Sequence, residues 1–193
     1  MNNQELAAIA ADFASGSDHR AERAAHALAA LGENNLAHYN QLLGDRRADV
    51  RWWTVRSLAE IESPGATSLL LQCFEDPDIS VRQCAALALQ QQPDPRAIPS
   101  LIKLLNSTDQ LLSRLAGDAL IASGGDAVPS LLEVMGDSPP RARIEAARAL
   151  AMIGDTRAIP ALFKALDGES ALLEHWAGEG LEKMGVGMVF FSP

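Results

Sequence analysis

Eight residues carry the side-chain types of a binding surface, and all of them belong to a few separate helical segments. They are Trp52, Trp53, Arg56, Arg114, Asp118, Arg148, His175 and Trp176. Tryptophan and arginine dominate the energetics of protein interfaces, because each combines a large contact area with directional polar groups. The set contains all three tryptophans of the chain. We therefore predict that these residues are exposed and contact a protein partner.

For the tryptophans there is a second interpretation, in which the rings fill gaps between neighbouring helices. Trp53 and Trp176 share one position of the sequence repeat described below, and for them we favour packing. Trp52 lies one residue farther round its helix, and for Trp52 we favour binding.

Catalytic motifs are scarce. The four histidines are scattered, and no pair of them has the helical spacing with an acidic partner that metal sites use. The chain has no G-x-S-x-G, no glycine-rich phosphate loop and no C-x-x-C. Asp118 could act as a general base, although a solvated carboxylate is the simpler interpretation. We expect a non-catalytic protein without a metal or other cofactor.

Helical hairpins, repeated along the chain, must position the eight residues. A leucine recurs at intervals of 30 or 31 residues, at Leu28, Leu58, Leu89, Leu120, Leu150 and Leu181. A small residue stands four positions before each leucine, at Ala24, Thr54, Ala85, Ala116, Ala146 and Ala177. Large apolar residues recur farther upstream in each repeat. Such rows predict two helices that face each other in every repeat.

The repeat predicts six hairpins, at residues 1–31, 32–62, 63–92, 93–123, 124–153 and 154–185, followed by a tail at 186–193. Glycines such as Gly154 follow the second helix of a hairpin, where a left-handed cap is expected. Pro64 fits the first turn of a helix, and Pro99, Pro129 and Pro160 fall about one turn into theirs. The fold class is all-α.

Residues 81–105 and 142–166 carry the pattern VR-x-x-A-A-x-A-L followed by a D-x-R-A-I-P turn, or close variants of it. This pattern resembles the HEAT-like repeat named after phycobilin lyases, and the resemblance covers the chain through residue 185. It implies an α-solenoid, a right-handed superhelix of antiparallel helix pairs. It also implies that the second helix of each pair lines the concave side, so that the eight residues would form a ridge there.

The resemblance brings enzymes into view as alternatives. Phycobilin lyases bind or transfer open-chain tetrapyrroles, which implies that Trp52, Trp53 and Trp176 stack on a chromophore while Arg56 or Arg148 holds its propionates. Deoxyhypusine hydroxylases, a related class, hold two irons through His-Glu dipeptides, and this chain has none. HEAT-like DNA glycosylases need a surface that binds a DNA duplex, which an acidic chain with three lysines provides poorly. The favoured function is a protein-binding scaffold or adaptor. The alternative is a phycobilin-lyase-like protein that binds or transfers a tetrapyrrole chromophore.

The charge and composition of the chain set limits on partners. The net charge is −9, and only three of the sixteen basic residues are lysines, which disfavours nucleic acid. No apolar run is long enough to span a membrane, and we expect a cytoplasmic protein. Cys73 and Cys84 lie in helical patterns and are expected to be small buried thiols.

Two smaller features lead to structural expectations. Asp45, Asp76 and Asp137 each precede an arginine by six residues, at Arg51, Arg82 and Arg143. We predict a bridge between turn and second helix, shared or not with the neighbouring hairpin. The tail at 186–193 is apolar, and it is expected either to cover the last hairpin as a lid or to dock onto another chain, which includes self-association.

Overall fold

The computed structural model describes residues 1–167 and 170–186, whose backbone forms twelve α-helices and no strand. The helices are α1 (Asn3–Phe13), α2 (Asp18–Ala29), α3 (Leu36–Leu43), α4 (Ala48–Leu58), α5 (Pro64–Gln72), α6 (Ile79–Gln91), α7 (Ile98–Leu104), α8 (Gln110–Ala122), α9 (Val128–Asp137), α10 (Pro140–Ile153), α11 (Ile159–Leu166) and α12 (Ala171–Lys183). Residues 187–193 of the predicted tail lie outside the described residues. The lid and docking roles of the tail, and the hairpin boundaries, stay predictions.

The chain divides into two compact halves, Met1–Gln92 and Pro93–Pro193. In the N-terminal half, α1 packs on α2, α3 on α4 and α5 on α6, while the second helices α2, α4 and α6 pack on one another in that order. In the C-terminal half, α7, α9 and α11 pack on α8, α10 and α12, and those second helices again form a continuous row. Such stacking of hairpins is the organisation of a solenoid.

The repeat leucines form the core of this packing. All six are at most 2% exposed, and the small residues four positions earlier are buried as well. Alanine at these positions allows neighbouring helices to approach closely, and leucine fills the space between the two helices of a hairpin. The predicted periodicity is therefore confirmed. None of the helices in the described part of the chain is long and apolar enough to cross a membrane.

A short polar chain links three helices inside the N-terminal half. The hydroxyls of Tyr39 and Ser57 lie 2.9 Å apart, and Ser57 donates a 2.8 Å hydrogen bond to the carbonyl of Ala25. Burial raises the pKa of Tyr39 to about 12, so its hydroxyl stays neutral. Because both hydroxyls have partners, this buried chain carries little desolvation penalty while it joins α2, α3 and α4.

The helix ends follow the sequence signals. Gly154 ends α10 in the left-handed region with φ of 72°, and its N–H donates a 3.0 Å hydrogen bond to the carbonyl of Leu150. Pro64 begins α5, and Pro99, Pro129 and Pro160 lie in the first turns of α7, α9 and α11. At those positions the missing N–H has no helical partner, so proline interrupts nothing.

The predicted bridge between turn and second helix extends to the neighbouring hairpin. Arg51 makes its ion pair with Asp76 of the next hairpin, at 2.7 Å, and donates a 2.9 Å hydrogen bond to the carbonyl oxygen of Asp45 in its own turn. Arg82 likewise donates to the carbonyl of Asp76. Burial alone would raise the pKa of Asp76, but hydrogen bonds from Arg51 and from the N–H of Asp78 outweigh it and the pKa is lowered. The side chain of Asp137 lies outside the described atoms.

The predicted bridge is therefore present for Arg51 in the form that is shared with the neighbouring hairpin. The side chain is long enough to pass its own aspartate, so the guanidinium pairs with Asp76 and also donates to a carbonyl of its own turn. The side chains of Arg51 and Asp76 are 10% and 8% exposed, so this nearly buried pair joins the second and third hairpins.

The two cysteines are buried, as expected from their helical patterns. Burial raises the pKa of each thiol to about 12, which leaves both protonated and unreactive at neutral pH. We assign them a packing role.

Candidate functional site

The first candidate surface lies on α4 in the N-terminal half and consists of Trp52, Trp53 and Arg56. Trp53 stacks on Phe13 of α1, with ring centroids 6.4 Å apart and an interplanar angle of 21°. Trp52 meets Trp53 edge to face at 4.8 Å. Both rings are half-buried. Trp53 is thus held by packing, while Trp52 forms the outer member of an ordered aromatic group.

Charged side chains border these tryptophans. Glu60 receives a 2.9 Å contact from Nδ1 of His26 on α2, and Arg56 approaches the same carboxylate to 4.0 Å. His26 and Arg56 are both more than a third exposed, so these contacts are solvated and adjustable. The result is an aromatic surface with mixed charge at its edge, which we call the tryptophan surface: Trp52, Trp53, Arg56, His26 and Glu60.

The second group lies in the C-terminal half, where three of the predicted residues come together. Arg148 of α10 donates hydrogen bonds of 2.7 Å to Asp118 and 2.8 Å to Glu145, and a third of 3.2 Å to the carbonyl of Arg114. Arg114 also lies 3.7 Å from Asp118. We call these four residues the arginine cluster.

The exposure predicted for Arg148 is wrong, because the residue is only 2% exposed. The physical reason is the neighbouring helix. A Cβ built on Gly117 of α8 would lie 2.5 Å from an Nη atom of Arg148, so glycine provides the space that the guanidinium occupies. Each of the three nitrogens of Arg148 donates one hydrogen bond, and these bonds join α8 to α10. At 2% exposure the guanidinium is closed to a ligand. Arg114 remains exposed and Asp118 is partly exposed.

The third group is on α12, where His175 and Trp176 lie with ring centroids 5.0 Å apart. Trp176 borders an open groove of about 350 Å³ between α10 and α12. The groove is lined by Ala151, Met152, Trp176, Glu179, Glu182 and Lys183. We call it the α10–α12 groove. Trp176 is half-buried and lines this groove.

A wider open groove of about 730 Å³ runs along the first helices of the N-terminal half. Its floor includes Leu6, Ala10 and Leu42, and Arg46 and Arg47 lie at one end. Arg47 is occupied by Asp45, with contacts of 2.9 and 2.8 Å, and this hydrogen-bonded pair holds the pKa of Asp45 at about 2. None of the eight predicted residues lines this groove.

Several neighbours of the predicted residues were missed by the sequence reasoning. They are Glu60, Gly117, Met152 and Glu182. A signal for some of them was present, since contacts between successive second helices join residues about one repeat apart, as in the pairs Glu60 with His26 and Arg148 with Asp118. In the described part of the chain, no cluster of three histidine, cysteine or acidic side chains has the geometry to hold a metal ion.

Stacked helical hairpins with a buried alanine and leucine core place this chain among the α-solenoid proteins. The sequence profile of HEAT repeats matches residues 36–121 and 114–182. These matches cover most of the chain, and the chain therefore belongs to the HEAT repeat family.

Two curated relatives give the resemblance more detail. The chain is 32% identical over 73 residues to phycocyanobilin lyase subunit alpha of Synechococcus elongatus, which is 38% of this chain and 27% of the relative. It is 33% identical over 87 residues to human deoxyhypusine hydroxylase, which is 44% of this chain and 28% of the relative. The chain thus matches less than a third of the length of either relative.

A solved structure extends the likeness along the chain. The complex of CpcE and CpcF of phycocyanin lyase from Nostoc sp. superposes with a TM-score of 0.53 and 24% identity, covering 93% of this chain and 77% of that one. At this identity the likeness concerns the fold. The predicted α-solenoid is confirmed.

The expectation of a non-enzymatic protein is corrected by these relatives, because both curated matches are named as enzymes. That expectation rested on the lack of short catalytic motifs. In a solenoid, however, residues on successive hairpins meet across the helix row, so a catalytic group can be assembled without any local motif.

Proposed function

We propose that this HEAT-repeat protein binds a protein partner through exposed residues of its second helices. The observation that carries the proposal is the placement of the tryptophans. In a chain with few aromatic residues, all three lie on second helices, half-buried, beside charged groups that are at least partly exposed. Half-buried tryptophans next to arginine are typical of the residues that dominate binding energy.

The contact residues proposed are those that remain accessible. In the N-terminal half these are Trp52 and Arg56, with Trp53 as the ring against which Trp52 is ordered. In the C-terminal half they are Arg114, Asp118, His175 and Trp176. Arg148 is assigned to positioning, because its guanidinium holds Asp118 and the carbonyl of Arg114 in place.

The test begins with capture of a partner by the immobilised chain from the organism that encodes it, followed by purification of that partner. Isothermal titration then compares the wild type with Trp52→Ala/Arg56→Ala and with His175→Ala/Trp176→Ala. We expect at least one double variant to lose roughly thirtyfold in affinity, corresponding to a hot spot of about 2 kcal/mol. Far-ultraviolet circular dichroism should show unchanged helicity in both.

Phe163→Ala is the matched control, because Phe163 is a large apolar residue, 40% exposed, on the first helix α11. Its affinity should equal that of the wild type. If both double variants bind like the wild type, the second helices are not the binding surface and the proposal fails.

A second candidate function is supported by the relationship with phycocyanobilin lyase subunit alpha. We infer for this case that Trp52 stacks on an open-chain tetrapyrrole and that Arg56 holds a propionate, since Arg148 is already occupied. Mixing the protein with phycocyanobilin should then shift and sharpen the visible absorbance band of the chromophore. Trp52→Ala/Arg56→Ala should abolish the change. An unaltered spectrum with the wild type would exclude this candidate.

A further inference from the structure

The α10–α12 groove owes its shape to a close approach of two helices. A Cβ built on Gly180 of α12 would lie 2.9 Å from the Cβ of Ala151 on α10 and 2.8 Å from Leu162. The two helices therefore touch along small residues. Met152, 48% exposed, and Trp176 line the groove together with Ala151 and make up its apolar lining.

The rim of the groove is acidic. Glu179 and Glu182 line it and are exposed, and within residues 1–167 and 170–186 neither carboxylate has an ion pair. Lys183, the cation among the described residues that line the groove, donates instead to the carbonyl of Met152 at 2.5 Å. Lys183 thus joins α12 to the end of α10 and leaves both carboxylates available.

The position of Glu182 is unfavourable for the helix itself. It lies in the last turn of α12, where the partial negative charge of the helix terminus repels a carboxylate. A residue that weakens its own helix, beside an apolar groove, is typical of a functional surface rather than of a stabilising one.

We propose that the α10–α12 groove receives a lysine or arginine side chain of the protein partner. This inference rests on the proposed function and names the chemistry of the partner at one point of the surface. The aliphatic stem of the incoming side chain lies between Met152 and Trp176, and its cation meets Glu179 and Glu182. A guanidinium or ammonium over the tryptophan ring adds a cation–π contact.

Charge complementarity favours this occupant over two others. The C-terminal residues 187–193 contain no lysine, arginine or histidine, so they would cover two carboxylates without pairing them. A second copy of this chain carries a net charge of −9, which opposes self-association at an acidic groove. A basic side chain is the occupant that satisfies both the apolar walls and the acidic rim.

The experiment uses the full chain and two fluorescein-labelled octapeptides, one of alternating alanine and arginine and one in which citrulline replaces each arginine. Citrulline keeps the shape of arginine and lacks its charge. Fluorescence polarisation at low salt should show at least tenfold tighter binding of the arginine peptide. Glu179→Gln/Glu182→Gln should weaken that binding at least tenfold, and Trp176→Leu should weaken it about fivefold, which attraction to the net charge alone would not do.

Glu133→Gln/Glu174→Gln is the matched control, because it removes the same charge from exposed positions outside the groove. It should change the affinity less than twofold. Equal losses in the two double variants, or equal binding of the two peptides, would overturn the proposal. If the peptide binds only after the chain is truncated at Val186, the groove belongs to the tail and the proposal is wrong. A dimer that Trp176→Leu dissociates would likewise assign the groove to self-association.

The captured partner separates this inference from the proposed function. A partner that is weakened by Trp52→Ala/Arg56→Ala but unaffected by Glu179→Gln/Glu182→Gln would leave the proposed function intact and contradict the groove assignment. A partner that is indifferent to every second-helix variant, while the arginine peptide still depends on Glu179 and Glu182, would contradict the proposed function and leave the groove chemistry in place.

Discussion

Trp53 and Trp176 occupy the same position of the repeat, yet their surroundings differ. Trp53 stacks on Phe13 of the preceding hairpin and is fixed on both sides by aromatic rings. Trp176 faces Ala151 and Met152 of the preceding hairpin, and these residues leave the groove open. The difference lies in the neighbour, since the hairpin before each tryptophan supplies either a large ring or small and flexible residues.

A second pair of equivalent positions behaves in the same way. Arg56 and Arg148 both lie two residues before a repeat leucine, but the Arg56 side chain is 37% exposed and the Arg148 side chain only 3%. The preceding second helix offers Arg148 a glycine, Gly117, and a carboxylate, Asp118. For Arg56 the equivalent residues are Ala25 and His26. Space and charge in the neighbouring hairpin therefore decide whether a repeat position is structural or available for binding.

The largest difference in stability between two equivalent positions should come from replacing Arg148 and Arg56. Arg148→Leu leaves Glu145 without its cation and Asp118 with Arg114 at 3.7 Å. Because both carboxylates are partly solvated, we expect the free energy of unfolding to fall by about 3 kcal/mol, at the low end for a broken buried pair. Arg56→Leu should lower it by less than about 0.5 kcal/mol, as for solvated ion pairs. Urea unfolding followed by circular dichroism measures both. Similar losses in the two variants would show that their environments do not differ in solution.

The tryptophans should show a smaller contrast. Trp53→Ala removes the stacking on Phe13, and for a half-buried ring we expect a loss of about 2 kcal/mol, less than for a fully buried tryptophan. Trp176→Ala should cost about 1 kcal/mol, because one face of its ring borders the open groove. The same unfolding measurement applies. A larger loss for Trp176 would mean that its ring is a packing residue and that the groove is secondary.

Much of the fold was predictable because it depends on the repeat itself. Burial of Leu28 through Leu181 follows from periodicity, and the proline and glycine positions follow from backbone geometry. These features depend on residues that are close in sequence within one hairpin, so they can be predicted from a single sequence. The helix pairs and the resemblance to HEAT-like repeats are predictable for the same reason.

The candidate site was less predictable, because it depends on contacts between hairpins. Exposure of Arg148 was inferred from its position on the helix, but burial came from Gly117, about one repeat earlier. For Arg51 the sequence leaves the partner open between its own hairpin and the next, and the structure places the ion pair on Asp76. Aligning the residues of adjacent second helices in register places Gly117 and Asp118 beside Arg148, whereas the pattern of a single helix does not.

The smallest effect offers the sharpest contrast, because its sign should reverse between two equivalent glycines. Gly117 and Gly178 both lie three residues before a repeat leucine. Gly117→Ala introduces a Cβ at 2.5 Å from Arg148, whose guanidinium is held by three partners, so we expect a loss of about 1 kcal/mol. Gly178 has no described atom within 4 Å of such a Cβ, and Gly178→Ala should stabilise α12 by about 0.5–1 kcal/mol through helix propensity. If the urea midpoints of the two variants move in opposite directions, the neighbouring hairpin determines whether a glycine at this repeat position is required. If both variants were stabilised, Arg148 would have to be mobile enough to leave Gly117, and the arginine cluster would then be adjustable rather than fixed.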